Sequence, residues 1–161
     1  MHAPASYADA SLIPQSTTRP LSTPLRQDLP KILRWRVLIV DDHALARQTI
    51  RTILESYLEI EVAAEASDGE EAVREAERVR PDVILMDVNL PRKNGIEATQ
   101  QIKRLLPNIV ILGMSADYTS QNYNAMIAAG AVAFLRKEDA ADLLFKTIVY
   151  TMFTYCPYRH S

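Results

Sequence analysis

The chain has 161 residues, of which 48% are hydrophobic, a formal net charge of -2 and a single cysteine. That length suits one ordinary domain with a real core, and the small net charge gives no global reason to bind nucleic acid. One cysteine, Cys156, excludes an internal disulfide and suits a reducing compartment.

The opening residues, Met1-His2-Ala3-Pro4-Ala5-Ser6, lack the basic start and apolar stretch of a secretory signal. No run approaches membrane-spanning length, so a cytoplasmic protein without membrane contact is expected. Residues 1–35 are rich in Pro, Ser and Thr without sustained periodicity, which predicts a flexible N-terminal arm. Its basic residues Arg19, Arg26, Lys31 and Arg34 outnumber Asp9 and Asp28, a balance that permits contact with an acidic surface.

From Arg36 onward strand and helix patterns alternate. A first apolar run over 36–41 ends in Asp41-Asp42 and is followed by a helix pattern over 43–58. A strand is expected near 60–64, and Asp68-Gly69-Glu70-Glu71 starts a helix over 68–79 with acids in its first turn. The run 82–87 ends in Asp87, and a helix follows near 94–106. A strand over 109–115 carries Gly113, where lost packing or a close backbone approach is expected, and ends at Ser115. Beyond it come a helix near 118–129, a strand near 131–135, Lys137, and a helix near 139–154. Five such βα units predict a doubly wound α/β domain over 36–155, with a C-terminal tail at 156–161.

Carboxylates at the ends of parallel strands stand at the sheet edge where open α/β folds place their chemistry. Asp41, Asp42 and Asp87 brought within reach of one another would repel, and a shared cation relieves this. Mg²⁺ is the economical choice, because it takes one or two carboxylates, tolerates a carbonyl, keeps waters and leaves room for a phosphate oxygen.

The stretch Val83 to Gly95, with Asp87 after an apolar strand, Pro91 four positions on and Gly95 eight positions on, resembles the phosphoacceptor loop of a response-regulator receiver domain. Asp41-Asp42 matches that family's acidic pair, Ser115 its hydroxyl after the fourth strand and Lys137 its lysine after the fifth. Phe134, three residues before the lysine, falls at its switch aromatic, and the likeness runs from about Val37 to Met152.

The resemblance implies a flavodoxin-like five-stranded sheet of order 2-1-3-4-5 with five helices. Neighbouring first and third strands, about 4.8 Å apart, would let Asp42 and Asp87 reach one ion. It implies that Asp87 is the nucleophile that becomes an aspartyl phosphate. Mg²⁺ would be bound by Asp42 and Asp87, by Asp41 partly through water, and by the Asn89 backbone carbonyl. Lys137 and Ser115 would stabilise the phosphoryl group, and Ser115 and Phe134 would move with it. The donor would be a sensor histidine kinase or a histidine phosphotransfer protein, and the chain a phosphoacceptor that assists its own phosphorylation and dephosphorylation. Asn89 and Asp117 occupy positions that in the family set phosphate lifetime. Glu138 departs from the pattern, since many receivers carry proline there.

Asp41-Asp42-His43, Glu65 to Ala72 and Gly95-Ile96-Glu97-Ala98 look most like receivers that usually precede a LuxR-type helix-turn-helix domain. The residues after Met152 leave no room for such a domain, so direct DNA binding by this chain is not expected; a stand-alone receiver and a fragment of a longer regulator stay open. The last helix is apolar around more of its circumference than one packed face requires. A homodimer or a downstream protein meeting helix 4, strand 5 and helix 5 would use that surplus, as would cover by the arm or tail. Two rivals remain: a Mg²⁺-dependent phosphohydrolase, whose second aspartate is replaced here by Asn89, and a degenerate receiver serving only as a binding module.

Overall fold

A computed structural model describes residues 34–156. The expected arm therefore lies outside the described residues except for its last two, and the expected tail except for Cys156. Trp35, read from sequence as the end of the arm, instead opens the first strand, where its N–H donates to the Glu59 carbonyl at 2.8 Å.

The elements run β1 (Trp35–Val40), α1 (Ala44–Glu55), β2 (Ile60–Ala66), α2 (Gly69–Val79), β3 (Val83–Asp87), α3 (Gly95–Leu105), β4 (Val110–Ser115), α4 (Ser120–Ala129), β5 (Ala133–Arg136) and α5 (Ala140–Tyr155). They build a five-stranded sheet of order β2-β1-β3-β4-β5 in which all pairs are parallel. This is the expected doubly wound, flavodoxin-like fold.

The period of two along each strand divides the core into two layers. Val37 and Ile39 of β1, Val83 and Leu85 of β3, and Val110, Leu112 and Met114 of β4 pack with Ile50 and Leu54 of α1 and Leu144, Ile148 and Met152 of α5. Their alternate neighbours Leu38, Val40, Ile84, Met86 and Ile111 pack with Ala72 and Ala76 of α2, Ala98 and Ile102 of α3, and Met126 of α4. Because β1, β3 and β4 are covered on both faces, their sequences read as continuous apolar runs.

Three helices, α2, α3 and α4, start where short polar side chains satisfy free backbone donors. Asp68 accepts from the Glu71 N–H at 2.8 Å while Glu71 reaches back to the Ser67 N–H at 2.7 Å. Asn94 caps α3 through the Glu97 N–H at 2.9 Å, and Thr119 caps α4 through the Asn122 N–H at 3.1 Å.

Several boundaries differ from the sequence reading. Helix α1 stops at Glu55, where the Ser56 N–H turns to the Ile53 carbonyl, and β2 runs on to Ala66 against β1. Strand β5 begins only at Ala133, because the Ala131 N–H is taken by the Met126 carbonyl that closes α4. Lys137–Asp139 form a turn of 3₁₀ helix before α5, and no cis peptide bond occurs among the described residues, so the Lys137-Glu138 peptide is trans.

Candidate functional site

Parallel strands bring their C-terminal ends to one edge. Asp87 is the last residue of β3, Asp41 and Asp42 follow β1, Ser115 ends β4 and Lys137 follows β5. The loop after β3 is pressed close to its own strand: a Cβ on Gly95 would lie 1.9 Å from the Asp87 carbonyl oxygen. Only glycine permits that approach, and the Gly95 N–H secures it by donating to the Val88 carbonyl at 2.9 Å.

At the centre, Lys137 Nζ lies 2.6 Å from Asp41 Oδ2 and 2.7 Å from Asp87 Oδ2. Both carboxylates are buried, Asp41 at 1% and Asp87 at 3% exposure. The Lys137–Asp87 contact is a well-formed hydrogen bond, whereas Asp41 Oδ2 accepts no aligned hydrogen bond among the described residues and is balanced by the ammonium's charge. Burial pushes the Asp87 carboxyl above its ordinary range, with the Asp41 charge adding to the rise and the Lys137 hydrogen bond opposing it. Burial works against the Lys137 charge, but the close contacts with the Asp41 and Asp87 carboxylates outweigh it and hold the ammonium above its ordinary range.

Asp42 is exposed, and its Oδ1 lies 2.9 Å from His43 Nδ1. Ligand atoms of Asp41, Asp42, His43 and Asp87 all lie within 4.8 Å of one another, close enough to hold a metal ion. The donor set fits a divalent cation, because three carboxylates gather beside one ammonium and leave an excess of negative charge, two of them, Asp41 and Asp87, being buried. The Asn89 N–H donates to Asp87 Oδ1 at 3.2 Å, which holds the carboxylate rotamer.

Ser115 and Phe134 are held by other neighbours. Ser115, fully buried, donates to the Asp117 carbonyl at 3.0 Å and accepts from the Asp117 N–H at 3.1 Å, so its hydroxyl is tied to its own loop. The Phe134 ring meets Tyr118 at 5.5 Å and Tyr123 at 6.1 Å between centroids, both edge-on. Phe134 pairs in register with Gly113, and a Cβ there would come within 2.7 Å of the ring.

Two contributors were not assigned from sequence. His43 was noted only as part of a likeness, and its approach to Asp42 depends on the turn into α1. Arg47, on the first turns of α1, donates from Nη1 to the Asp41 carbonyl at 2.6 Å and from Nε to Glu65 at 3.1 Å, bracing the acidic loop against β2. A basic residue five positions after the acidic pair was the available signal. A cavity of about 390 Å³ beside Pro81, Leu106 and Cys156 lies at the opposite edge of the sheet and holds none of these residues.

Fold and site together define a flavodoxin-like α/β domain with a carboxylate and lysine centre at the C-terminal edge of its sheet. Residues 37–149 match the response regulator receiver domain, and the chain belongs to that family of two-component signalling proteins. It is 38% identical over 113 residues to the transcriptional regulatory protein DegU of Brevibacillus brevis, covering 70% of this chain and 48% of that protein. It thus spans about half the length of this curated relative. Among solved structures, the response regulator domain of Thermotoga maritima CheB superposes with a TM-score of 0.70 at 32% identity, covering 74% of this chain and 96% of that one. The signal receiver domain of NarL from Mycobacterium tuberculosis gives a TM-score of 0.70 at 27% identity over 73% of this chain and 95% of that one. The expected likeness to receivers of LuxR-type regulators is met by DegU and NarL. No helix among the described residues is long and apolar enough to cross a membrane.

Proposed function

We propose that this chain, over residues 36–155 with Trp35 added by its place in β1, receives a phosphoryl group on Asp87 from a sensor histidine kinase or a histidine phosphotransfer protein in the cytoplasm. The observation that carries this reading is Lys137 Nζ lying between Asp41 and Asp87 at 2.6 and 2.7 Å. An Asp87 carboxylate oxygen attacks phosphorus, the bond to the donor nitrogen breaks, and the phosphoryl group becomes an acyl phosphate. Lys137 meets the equatorial oxygens with positive charge, and the Ser115 hydroxyl, once released from Asp117, donates to one of them. Asp41, Asp42, Asp87 and the Asn89 backbone carbonyl would hold Mg²⁺, which supplies charge that offsets the carboxylates and the incoming phosphate. The chain assists its own phosphorylation and dephosphorylation but has no separate substrate to turn over. Its output is a change of protein contacts, through a homodimer or a downstream protein, rather than contact of this chain with DNA.

Incubation with a small phosphodonor and Mg²⁺, followed by intact mass, tests the proposal. One phosphoryl adduct is expected on the wild type and none on Asp87→Asn. Full labelling of that variant would remove Asp87 from the role, and rapid multiple turnover without an adduct would mark a phosphohydrolase.

A further inference from the structure

We propose that Arg92 and Asp68 are positioning residues for phosphoryl acceptance at Asp87: their ion pair latches the loop after β3 onto the start of α2 and thereby fixes the Asn89 backbone beside the Asp87 carboxylate. The inference rests on the reading of Asp87 as phosphoacceptor and adds to it what holds the acceptor loop in place.

The loop is built under strain. At Arg92 the backbone takes a φ of 62°, in the left-handed region that favours glycine or asparagine. The Lys93 N–H donates to the Pro91 carbonyl at 2.7 Å, which closes a three-residue turn about Arg92. With a positive central φ this is the rare, strained form of that turn, and such a conformation persists only where its neighbours over-determine it.

Neighbours on α2 and α3 do so. Arg92 Nη1 lies 3.3 Å from Asp68 Oδ2, and the Asp68 side chain is only 4% exposed. The other Asp68 oxygen accepts from the Glu71 N–H at 2.8 Å, so one carboxylate caps α2 and holds the loop at once. Ion pairs of exposed arginines usually contribute little, but here the carboxylate is buried, and losing the guanidinium would strip it of that countercharge. One residue further along each segment the backbones meet, since a Cβ on Gly69 would lie 2.0 Å from the Lys93 carbonyl oxygen. Lys93 Nζ in turn donates to Gln101 Oε1 of α3 at 2.5 Å.

The other end of the loop touches the acceptor itself, through the Asn89 N–H on Asp87 Oδ1 at 3.2 Å. Only Leu90 and Pro91 separate Asn89 from Arg92, and proline's ring restricts φ, so relaxation of the strained turn is carried to the Asn89 backbone. In-line attack needs a carboxylate oxygen aligned on phosphorus, and a misplacement of about 1 Å can cost up to about a hundredfold in rate.

The test is the rate of adduct formation on the full chain with acetyl phosphate and Mg²⁺, measured by intact mass over a range of phosphodonor concentrations. Asp68→Asn keeps an oxygen for the Glu71 N–H and removes only the charge, Arg92→Gln removes the guanidinium, and Arg92→Lys restores a cation. The expected result is a maximal rate lower by roughly fivefold or more in Asp68→Asn and in Arg92→Gln, no further loss in the double variant, and recovery to within about twofold in Arg92→Lys. Half-saturating phosphodonor concentration should stay the same, because the latch aligns the acceptor and does not bind the donor. Maximal rates within about twofold of wild type in both single variants, or losses that multiply in the double variant, would overturn the latch. A loss confined to Arg92→Gln and to half-saturation would overturn it too, leaving Arg92 as a cation that attracts the anionic donor. A wild type that forms no adduct would overturn the reading of Asp87 itself.

Discussion

At position 113 a glycine stands inside a fully buried strand, where it costs about 0.5–1 kcal/mol relative to alanine unless something uses the space. Phe134 uses it. A Cβ at 113 would lie 2.7 Å from Phe134 Cδ2, 3.3 Å from Cε2 and 3.1 Å from Met126 Cε, so the ring rests on the bare backbone of the neighbouring strand. Gly113→Ala should therefore destabilise the domain by about 1–3 kcal/mol in urea unfolding instead of stabilising it. In the double variant with Phe134→Leu part of that loss should return, giving a coupling above about 0.5 kcal/mol. A stabilising Gly113→Ala would mean that the ring moves aside at no cost. The sequence left Gly113 open between lost packing and a close approach, and the register that sets it beside Phe134 of β5 decides for the second, a pairing that neither segment shows alone. The acidic pair behaves similarly. Its presence at the strand end was legible, whereas the burial of Asp41 and exposure of Asp42 follow from where the strand stops and the turn into α1 begins.

Among the elements, α1 is joined to β2 by charge as well as by apolar packing. Glu65 on β2 accepts from Arg51 at 2.6 Å and from Arg47 at 3.1 Å, while Arg47 also reaches the Asp41 carbonyl. Burial pushes the Glu65 carboxyl up, and the two arginines more than reverse this, so it ends below its ordinary 4.5. A carboxyl lowered on folding adds stability that is complete above its unfolded pKa and is lost as pH falls through the folded one. Glu65→Gln should then cost about 1 kcal/mol at neutral pH, with the gap to wild type closing below about pH 4. A gap that persists in acid would assign the loss to packing. Element types were legible throughout because each strand is an apolar run ended by a polar residue and most helices start with a capping side chain. Helix and strand ends were less so: the 3₁₀ turn at Lys137–Asp139 and the late start of β5 arise from backbone hydrogen bonds to neighbouring elements, which leave no pattern in the local sequence.

Across the molecule, the centre at the sheet edge and the surface around α4, β5 and α5 share two residues that an added phosphate would compete for. Lys137 now divides its charge between Asp41 and Asp87, and the Ser115 hydroxyl is held by two bonds to Asp117. A phosphoryl group on Asp87 adds about 1.5–2 negative charges and three acceptor oxygens, a stronger partner for both. On the proposed reading, drawing Ser115 toward that phosphate would break both bonds to Asp117 and release the segment that carries Tyr118 and leads into α4, against which Phe134 packs. Next to this region α5 buries Leu144, Ile148 and Met152 but leaves Leu143, Tyr150 and Phe153 exposed, Tyr150 at 70%. That apolar stripe is the surplus expected from the helix sequence, and it gives a shift at α4 and β5 a neighbouring surface through which to alter association. Hydrogen exchange on the phosphorylated and unphosphorylated chain should show protection changing by about tenfold, equivalent to roughly 1.4 kcal/mol, over 115–123 and 133–150. Size-exclusion measurements on the same samples should show a change in self-association or in capture of a downstream partner. Changes restricted to the loop 88–94, with 115–150 unaltered and oligomeric state constant, would instead describe a carrier that passes its phosphoryl group onward without remodelling its own surface.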